Sequence, residues 1–463
     1  MLALALVLAC GGWRKQIREG DDWMARDNPG AAARAYTKAE KARPEDLDLQ
    51  LRLARALLED EQYAEAVPHA AAAYEEGMTG SPEVYALSLL GAGRSAEVIP
   101  VAQKELSSAT DDRFHLMLAR AELGRGDLVA ARYWYEEALK RGSSLELRAG
   151  AAYVYARLGE GSTVGSVTLD ARDDADASLG VWAELGAAWL AAGDWSNGRN
   201  AGAQLLAMDP SVLGEDAQRG DWIRAADAYA VQGQYEPALH MALSAACLDV
   251  EDAELAWKIG AWAAAVQDWR LAARWLEHAL VTPPYDAPEE NATAGVAVAT
   301  LGGDMGLAER RKVRAEIGAA LTIVYQKLGD PAAEARAWEI VLRSQDQPDA
   351  ETWYRHALAL FRAGDFPGSA RSARTATSMG HQEAAAVAAR AYRRIGDFEN
   401  AAGWAMTAWE VAPGDPELAL LLAELYERDK RYEAALRVIE MGLSVHPNHQ
   451  ALQRARTRLL TSF

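Results

Sequence analysis

Between Trp182 and Pro210 the chain reads WAELGAAWLAAGDWSNGRNAGAQLLAMDP. Trp182, Leu185 and Trp189 fall at i, i+3 and i+7, so they share one apolar face of a helix. Gly193-Asp194 breaks that helix with a turn. A second helical stretch follows and stops before Asp209-Pro210, because proline cannot continue it. The same pattern of an apolar stripe, a turn and a second stripe recurs along the chain. Turns are predicted at Asp27-Asn28-Pro29, Gly126-Asp127, Gly329-Asp330, Gly364-Asp365 and Gly396-Asp397. Tyr235 and Trp269, and again Pro413 and Pro447, stand about 34 residues apart, which is one helix pair per period. Gly91-Ala92-Gly93 reads as another helix–helix turn. No strand precedes it and no acidic partner follows, so it is not a dinucleotide fingerprint.

The residues Trp182, Leu185-Gly186, Trp189 and Pro210 match the W-x2-L-G-x2-Y…P signature of the tetratricopeptide repeat. The chain resembles that family over nearly all its length, in roughly twelve units. The resemblance is strongest over Trp182–Pro284 and Trp353–Pro447 and weakest before about Asp112. It implies an all-α fold, a right-handed superhelical solenoid of antiparallel helix pairs whose concave side is lined by the first helix of each pair. The expected organisation is a signal segment and tether over 1–12 and a degenerate array over 13–160. An irregular acidic loop over 161–180 and a central array over 181–284 follow. An irregular insertion over 285–307 then leads to a C-terminal array over 308–463, closed by a capping helix at Gln450–Leu460. Within 161–180, Asp174, Asp176 and Ser178 resemble the start of a calcium loop. Gly180 is one place late and Leu185 stands where a glutamate is needed, so a solvated loop is expected and no metal.

Composition narrows the function classes. The chain has 463 residues, half of them apolar, with 15 Trp and 16 Tyr against 5 Phe. The net charge of −19 argues against nucleic acid or an anionic lipid surface as the main partner. It serves solubility, or else a basic partner. Cys10 and Cys247 are the only cysteines and cannot build a disulfide framework; Cys247 is expected to be a small buried apolar group. His446 and His449 lack the intervening glutamate of a zinc protease. Neither a Gly-x4-Gly-Lys phosphate loop nor a Gly-x-Ser-x-Gly elbow is present. The expectation is therefore a non-enzymatic protein with no cofactor, no metal and no small-molecule substrate.

The first ten residues, MLALALVLAC, are far too few to span a bilayer, which takes roughly 20 apolar residues. Leu6-Val7-Leu8-Ala9-Cys10 resembles a bacterial lipobox. That resemblance implies cleavage before Cys10, acylation of Cys10, and attachment to the cell envelope by lipid alone. An incidental cysteine at an apolar chain start would instead leave a cytoplasmic adaptor.

The family resemblance also implies partner-binding positions. Carried onto this chain, the inward offsets of the first helices give Ile223 and Val231 in the seventh unit and Trp257 in the eighth. They give Tyr354, Leu358 and Phe361 in the tenth, and Arg390, Arg393 and Arg394 in the eleventh. An apolar stretch followed by a basic cluster suits a protein or peptide partner with an acidic end. Each aromatic could instead pack between repeats, and the arginines could pair with Glu383 or Glu399.

Overall fold

A computed structural model describes residues 12–106, 112–169, 178–208, 218–283, 285 and 306–461. Its chain divides into two compact units, Met1–Val250 and Glu251–Phe463. Among the described residues there are twenty-five α-helices and no strand. The first unit holds α1 (Gly12–Met24), α2 (Pro29–Glu40), α3 (Leu47–Glu59), α4 (Tyr63–Glu75), α5 (Ser81–Gly91), α6 (Ser95–Glu105) and α7 (Arg113–Gly124). It continues with α8 (Leu128–Leu139), α9 (Leu145–Arg157), α10 (Gly161–Val167), α11 (Leu179–Ala192), α12 (Trp195–Met208), α13 (Gln218–Val231) and α14 (Tyr235–Ala246). The second unit holds α15 (Ala253–Ala265), α16 (Trp269–Val281), α17 (Leu307–Leu328), α18 (Pro331–Ser344), α19 (Ala350–Ala363) and α20 (Phe366–Ser378). It ends with α21 (Ala384–Ile395), α22 (Phe398–Val411), α23 (Pro416–Arg428), α24 (Tyr432–Val445) and α25 (Gln450–Leu460).

Helices adjacent in sequence pack on each other as antiparallel pairs, and successive pairs stack within each unit. The turns follow from the Gly-Asp dipeptides. Gly193, Gly329, Gly364 and Gly396 each close a helix in the left-handed conformation, with φ between 70° and 91°. The aspartate that follows caps the next helix: Asp330 accepts from the Ala333 N–H at 2.9 Å and Asp365 from the Gly368 N–H at 2.9 Å. One dipeptide thus ends one helix and starts its partner.

Alanine is the most frequent residue in the described core. In the second unit Ala401, Ala405, Ala408 and Ala435 are buried beside Leu422, Ile439 and Leu452. Small side chains let helix axes approach, and burial of the leucines and aromatics supplies the driving force, at about 25 cal/mol per Å². Cys247 is buried as expected, with its Cβ and sulfur against Gly186. Its carbonyl oxygen stands 2.0 Å from where a Cβ on Gly202 would lie.

The stretch 161–180 was expected to be irregular, but it opens with the short helix α10, in which Val164 is buried. The Thr168 hydroxyl donates to the Val164 carbonyl and accepts from the Trp189 indole N–H, tying this turn to α11. Ser178 caps α11, accepting from the Val181 N–H at 3.4 Å. Asp174, Asp176, Pro210, Pro284 and all but the ends of 285–307 lie outside the described residues, as does Cys10.

The seventh pair breaks the simple stacking order. Helix α14, the second of its pair, packs against α11 and touches α7. This brings the pair back over the first helices of earlier repeats. The turn-to-turn distance from Gly193 to Gly233 exceeds the ~34-residue period by about six residues, which supplies the slack for this excursion.

Two glycine substitutions should separate packing from helix propensity. Gly202→Ala drives a Cβ into the Cys247 backbone and should lower stability by about 1–3 kcal/mol. Gly403→Ala, at an exposed site in α22 with open space around it, should raise it by about 0.5–1 kcal/mol. Thermal unfolding of both variants beside the parent chain checks the pair of signs.

Candidate functional site

In the second unit, the first helices α17 and α19 flank a cleft of about 370 Å³, with α18 forming its floor. Thr322, Ile323 and Gln326 line it from α17, Glu334 and Trp338 from α18, and Tyr354, Leu358 and Arg362 from α19. Two of the predicted residues, Tyr354 and Leu358, thus meet in one cavity. Both are half-buried and rest on Ala357, Ala373, Val387 and Ala388. The Tyr354 ring stacks on His381 at 4.0 Å, and its hydroxyl donates to Glu383 at 2.9 Å, so the ring is held in place. Arg362 donates to Glu334 at 2.7 Å, which pairs the buried carboxylate of the floor. The Trp338 indole nitrogen is buried without a hydrogen-bond partner, and Ile323 is exposed. The cleft therefore presents apolar surface beside a paired carboxylate.

The other predicted positions separate. Phe361 packs edge-on against Phe366 at 5.3 Å, between the helices of its own pair. Arg390 donates to Glu417 at 2.6 Å and Arg393 to Glu424 at 2.9 Å. These pairs join α21 to α23, the next first helix, and do not involve Glu383 or Glu399. Arg394 leaves the cluster and lies over the Phe366 ring at 5.7 Å. Two of the three arginines already hold carboxylates, so they do not form an open basic patch for an acidic peptide end. Trp257 is half-buried on α15. Ile223 is half-buried, whereas Val231 is 89% exposed at the end of α13, because α14 rather than α13 turns inward in that pair.

A second constellation was not anticipated from the sequence. In the first unit, α5, α7, α11, α13 and α14 enclose a cleft of about 280 Å³. Its polar lining is Ser95, Arg120, Glu184, Glu236 and His240, and its wall is Leu90, Leu123, Tyr229, Pro237 and Met241. Arg157 of α9 makes a two-pronged ion pair with Glu236 of α14, almost sealed from solvent. Arg120 donates to Glu146 at 2.7 Å and stands 4.0 Å from Glu184. Among the described residues Glu184 has no other polar partner, although it is only 8% exposed. Burial pushes its carboxyl up to about 7; Arg120 opposes that shift and Glu146 adds to it. Burial, with Arg120 and Arg157 nearby, pushes the His240 imidazole down to about 4, and its Nε2 has no hydrogen-bond partner. One signal was legible: Glu184 is the only charged residue of α11, LGVWAELGAAWLAA.

Among the described residues no cluster of His, Cys, Asp or Glu has metal-binding geometry, and no helix is long and apolar enough to cross a membrane.

Models of one family, described as tetratricopeptide repeat, match residues 396–459 and residues 17–81, 86–146 and 354–408. The first two ranges of the second model cover the N-terminal stretch in which the signature is weakest. Trp182–Pro284, where it reads most clearly, lies outside these ranges. No curated protein sequence matches the chain. Three solved structures are similar to it at low identity. The APC/C hetero-tetramer Cut9-Hcn1 is 11% identical, covers 98% of this chain and 98% of that chain, and has a TM-score of 0.28. YrrB, described as a TPR protein with an unusual peptide-binding site, is 15% identical over 47% of this chain and 97% of its own, with a TM-score of 0.34. The P58(IPK) TPR domain is 13% identical over 90% of this chain and 98% of its own, with a TM-score of 0.24.

The two displaced titrations have opposite signs. Glu184 moves from 4.5 up to about 7, so the folded state keeps a proton that the unfolded chain loses. Its contribution is fully present below 4.5 and is lost as pH rises to about 7. His240 moves from 6.5 down to about 4, so its contribution is present above 6.5 and is lost as pH falls to about 4. Relative to the parent chain, Glu184→Gln should therefore gain stability as pH rises from 4.5 to 7. His240→Gln should gain as pH falls from 6.5 to 4. Urea midpoints across this range check both slopes. The charged and titratable groups around the pair are Arg120, Tyr135, Glu146, Tyr153, Arg157 and Glu236.

Proposed function

The chain belongs to the tetratricopeptide-repeat family, and from that premise we propose that it is a non-enzymatic scaffold holding a protein or peptide partner. The observation that carries this reading is the cleft of the second unit. It is flanked by two successive first helices and offers apolar surface from Ile323, Tyr354 and Leu358. An extended or helical segment can lay side chains on that surface. The pairing of Arg390 and Arg393 with glutamates favours apolar contact over recognition of an acidic end.

The same reading includes a lipid anchor at Cys10 and a place in a bacterial cell envelope, where the scaffold assists assembly of other proteins. Its support is the run Leu6-Val7-Leu8-Ala9-Cys10, with a small residue before the cysteine. The net charge of −19 gives no electrostatic help on an anionic lipid surface, so acyl chains would supply the attachment.

Combined replacement Tyr354→Ala and Leu358→Ala should reduce partner recovery from a native lysate at least about tenfold, since interface energy concentrates in few buried apolar side chains. Recovery equal to that of the parent chain would overturn the assignment of this cleft. Incorporation of labelled palmitate into the parent chain, abolished by Cys10→Ser, is the expected result for the anchor; equal labelling of both chains would refute it.

A further inference from the structure

Bookkeeping of charge in the first-unit cleft leaves one group over. Arg157 and Glu236 satisfy each other, and Arg120 is hydrogen-bonded to Glu146. Glu184 forms a long ion pair with Arg120 at 4.0 Å, but the Arg120 hydrogen bond goes to Glu146, and Glu184 receives none among the described residues. A carboxylate 8% exposed and without a donor is costly, as is the unpartnered Nε2 of His240 in the same cleft. Both groups line one cavity; Glu184 lacks a donor and the Nε2 of His240 lacks a partner. Beside them runs an apolar wall of Leu90, Leu123, Tyr229, Pro237 and Met241. A ligand that completes this site must bring a positive donor head on an apolar stem. Lysine and arginine side chains have that build.

We propose that this cleft is a recognition pocket for a lysine or arginine side chain of a partner protein, with Glu184 receiving the cationic head and the Leu123–Tyr229 wall receiving its alkyl stem. An anionic ligand is disfavoured, because the two arginines of the site are already paired with carboxylates. The cleft's volume of about 280 Å³ accommodates one long side chain and a little flanking backbone. The chain's charge of −19 raises the encounter rate for basic partners. The inference uses the scaffold reading only in taking the side chain to be carried by a protein. It concerns the first unit, whereas the Tyr354 and Leu358 variants concern the second.

Calorimetric titration of the full chain at about pH 8 tests it, with acetyl-Ala-Arg-Ala-amide and its lysine counterpart as probes. The peptide in which citrulline replaces arginine keeps the shape and removes the charge. Free agmatine supplies the same head without a peptide. The expected result is binding of at least one basic peptide, at least tenfold weaker binding of the citrulline peptide, and at least tenfold loss on Glu184→Gln. Affinity should also fall as pH drops below about 7, where Glu184 takes up its proton. Glu184→Gln removes a buried charge and should fold; Tyr229→Ala, on the wall, carries the same expectation for the basic peptide if it does not. Equal binding of the arginine and citrulline peptides, or no binding of either basic peptide at millimolar concentration, would overturn the proposal. Agmatine binding tighter than both basic peptides would overturn the protein source and assign the pocket to a free amine. The Tyr354→Ala, Leu358→Ala chain should bind the basic peptides as the parent does, so failure at one cleft is read separately from failure at the other.

Discussion

A helix pair of this chain cannot cover its own apolar side. The stripes of α21 and α22 face not only each other but also α20 and α23, and the alanines that allow close approach leave too little side chain to fill a core alone. Each pair is therefore stable only with a neighbour, and the order of elements in sequence becomes the order of contacts within a unit. Turn chemistry follows from the same demand. A glycine in the left-handed conformation and a capping aspartate reverse the chain in few residues, so that the second helix lies directly along the first. Where another residue occupies the left-handed position, as at Glu61, Gln267 and Lys430, the turn is kept at a strain of about 1–2 kcal/mol. The geometry of the repeat outranks the comfort of one residue.

Nearest-neighbour stacking also decides where charge can sit. Along the second unit, arginines reach forward to the next first helix, from Arg390 to Glu417 and from Arg393 to Glu424. Such exposed pairs are worth about 0–1 kcal/mol each, so they tune the surface more than they hold the stack. In the first unit the return of α14 over α7 and α11 withdraws the concave side from water. Charges that would have been surface groups become buried ones. The carboxyl of Glu184 and the imidazole of His240 both shift toward their neutral forms for that reason. One excursion of the backbone thus converts an open groove into an enclosed polar cleft.

Much of this was legible in the sequence. Helix pairs, turns and the helix Gln450–Leu460 follow from a local period, and local signals are what a single chain displays most plainly. Tyr354 and Leu358 could be placed in a groove because the offset of inward positions is fixed within a repeat. Arg394 could not, since one residue of helical phase carries it from the groove to the ring of Phe366. Ile223 and Val231 sit apart from that groove for a different reason. Their pair leaves the register of the stack, and that depends on contacts between elements far apart in sequence. The same distance hid the Arg157–Glu236 pair, whose members are separated by 79 residues. The clearest clues, one carboxylate in an otherwise uncharged helix and a turn spacing too long by about six residues, have meaning only when taken together.

Why the first unit tolerates so many enclosed charges follows from what a buried ion pair does. Desolvation offsets most of the attraction between Arg157 and Glu236, so the pair adds little net stability over an apolar contact of equal volume. Separating the partners while both stay buried is another matter and costs about 3–5 kcal/mol. A seventh pair that slid along α9 or α11 would strand Arg157 and Glu236 in just this way, whereas an apolar surface would let it slide at small cost. The pair therefore selects one docking position for α14 out of several that alanine-rich faces would accept. That position is also the one that brings His240 and the Pro237–Met241 wall beside Glu184. The Arg157–Glu236 contact thus bears on the shape of the cleft more than on overall stability.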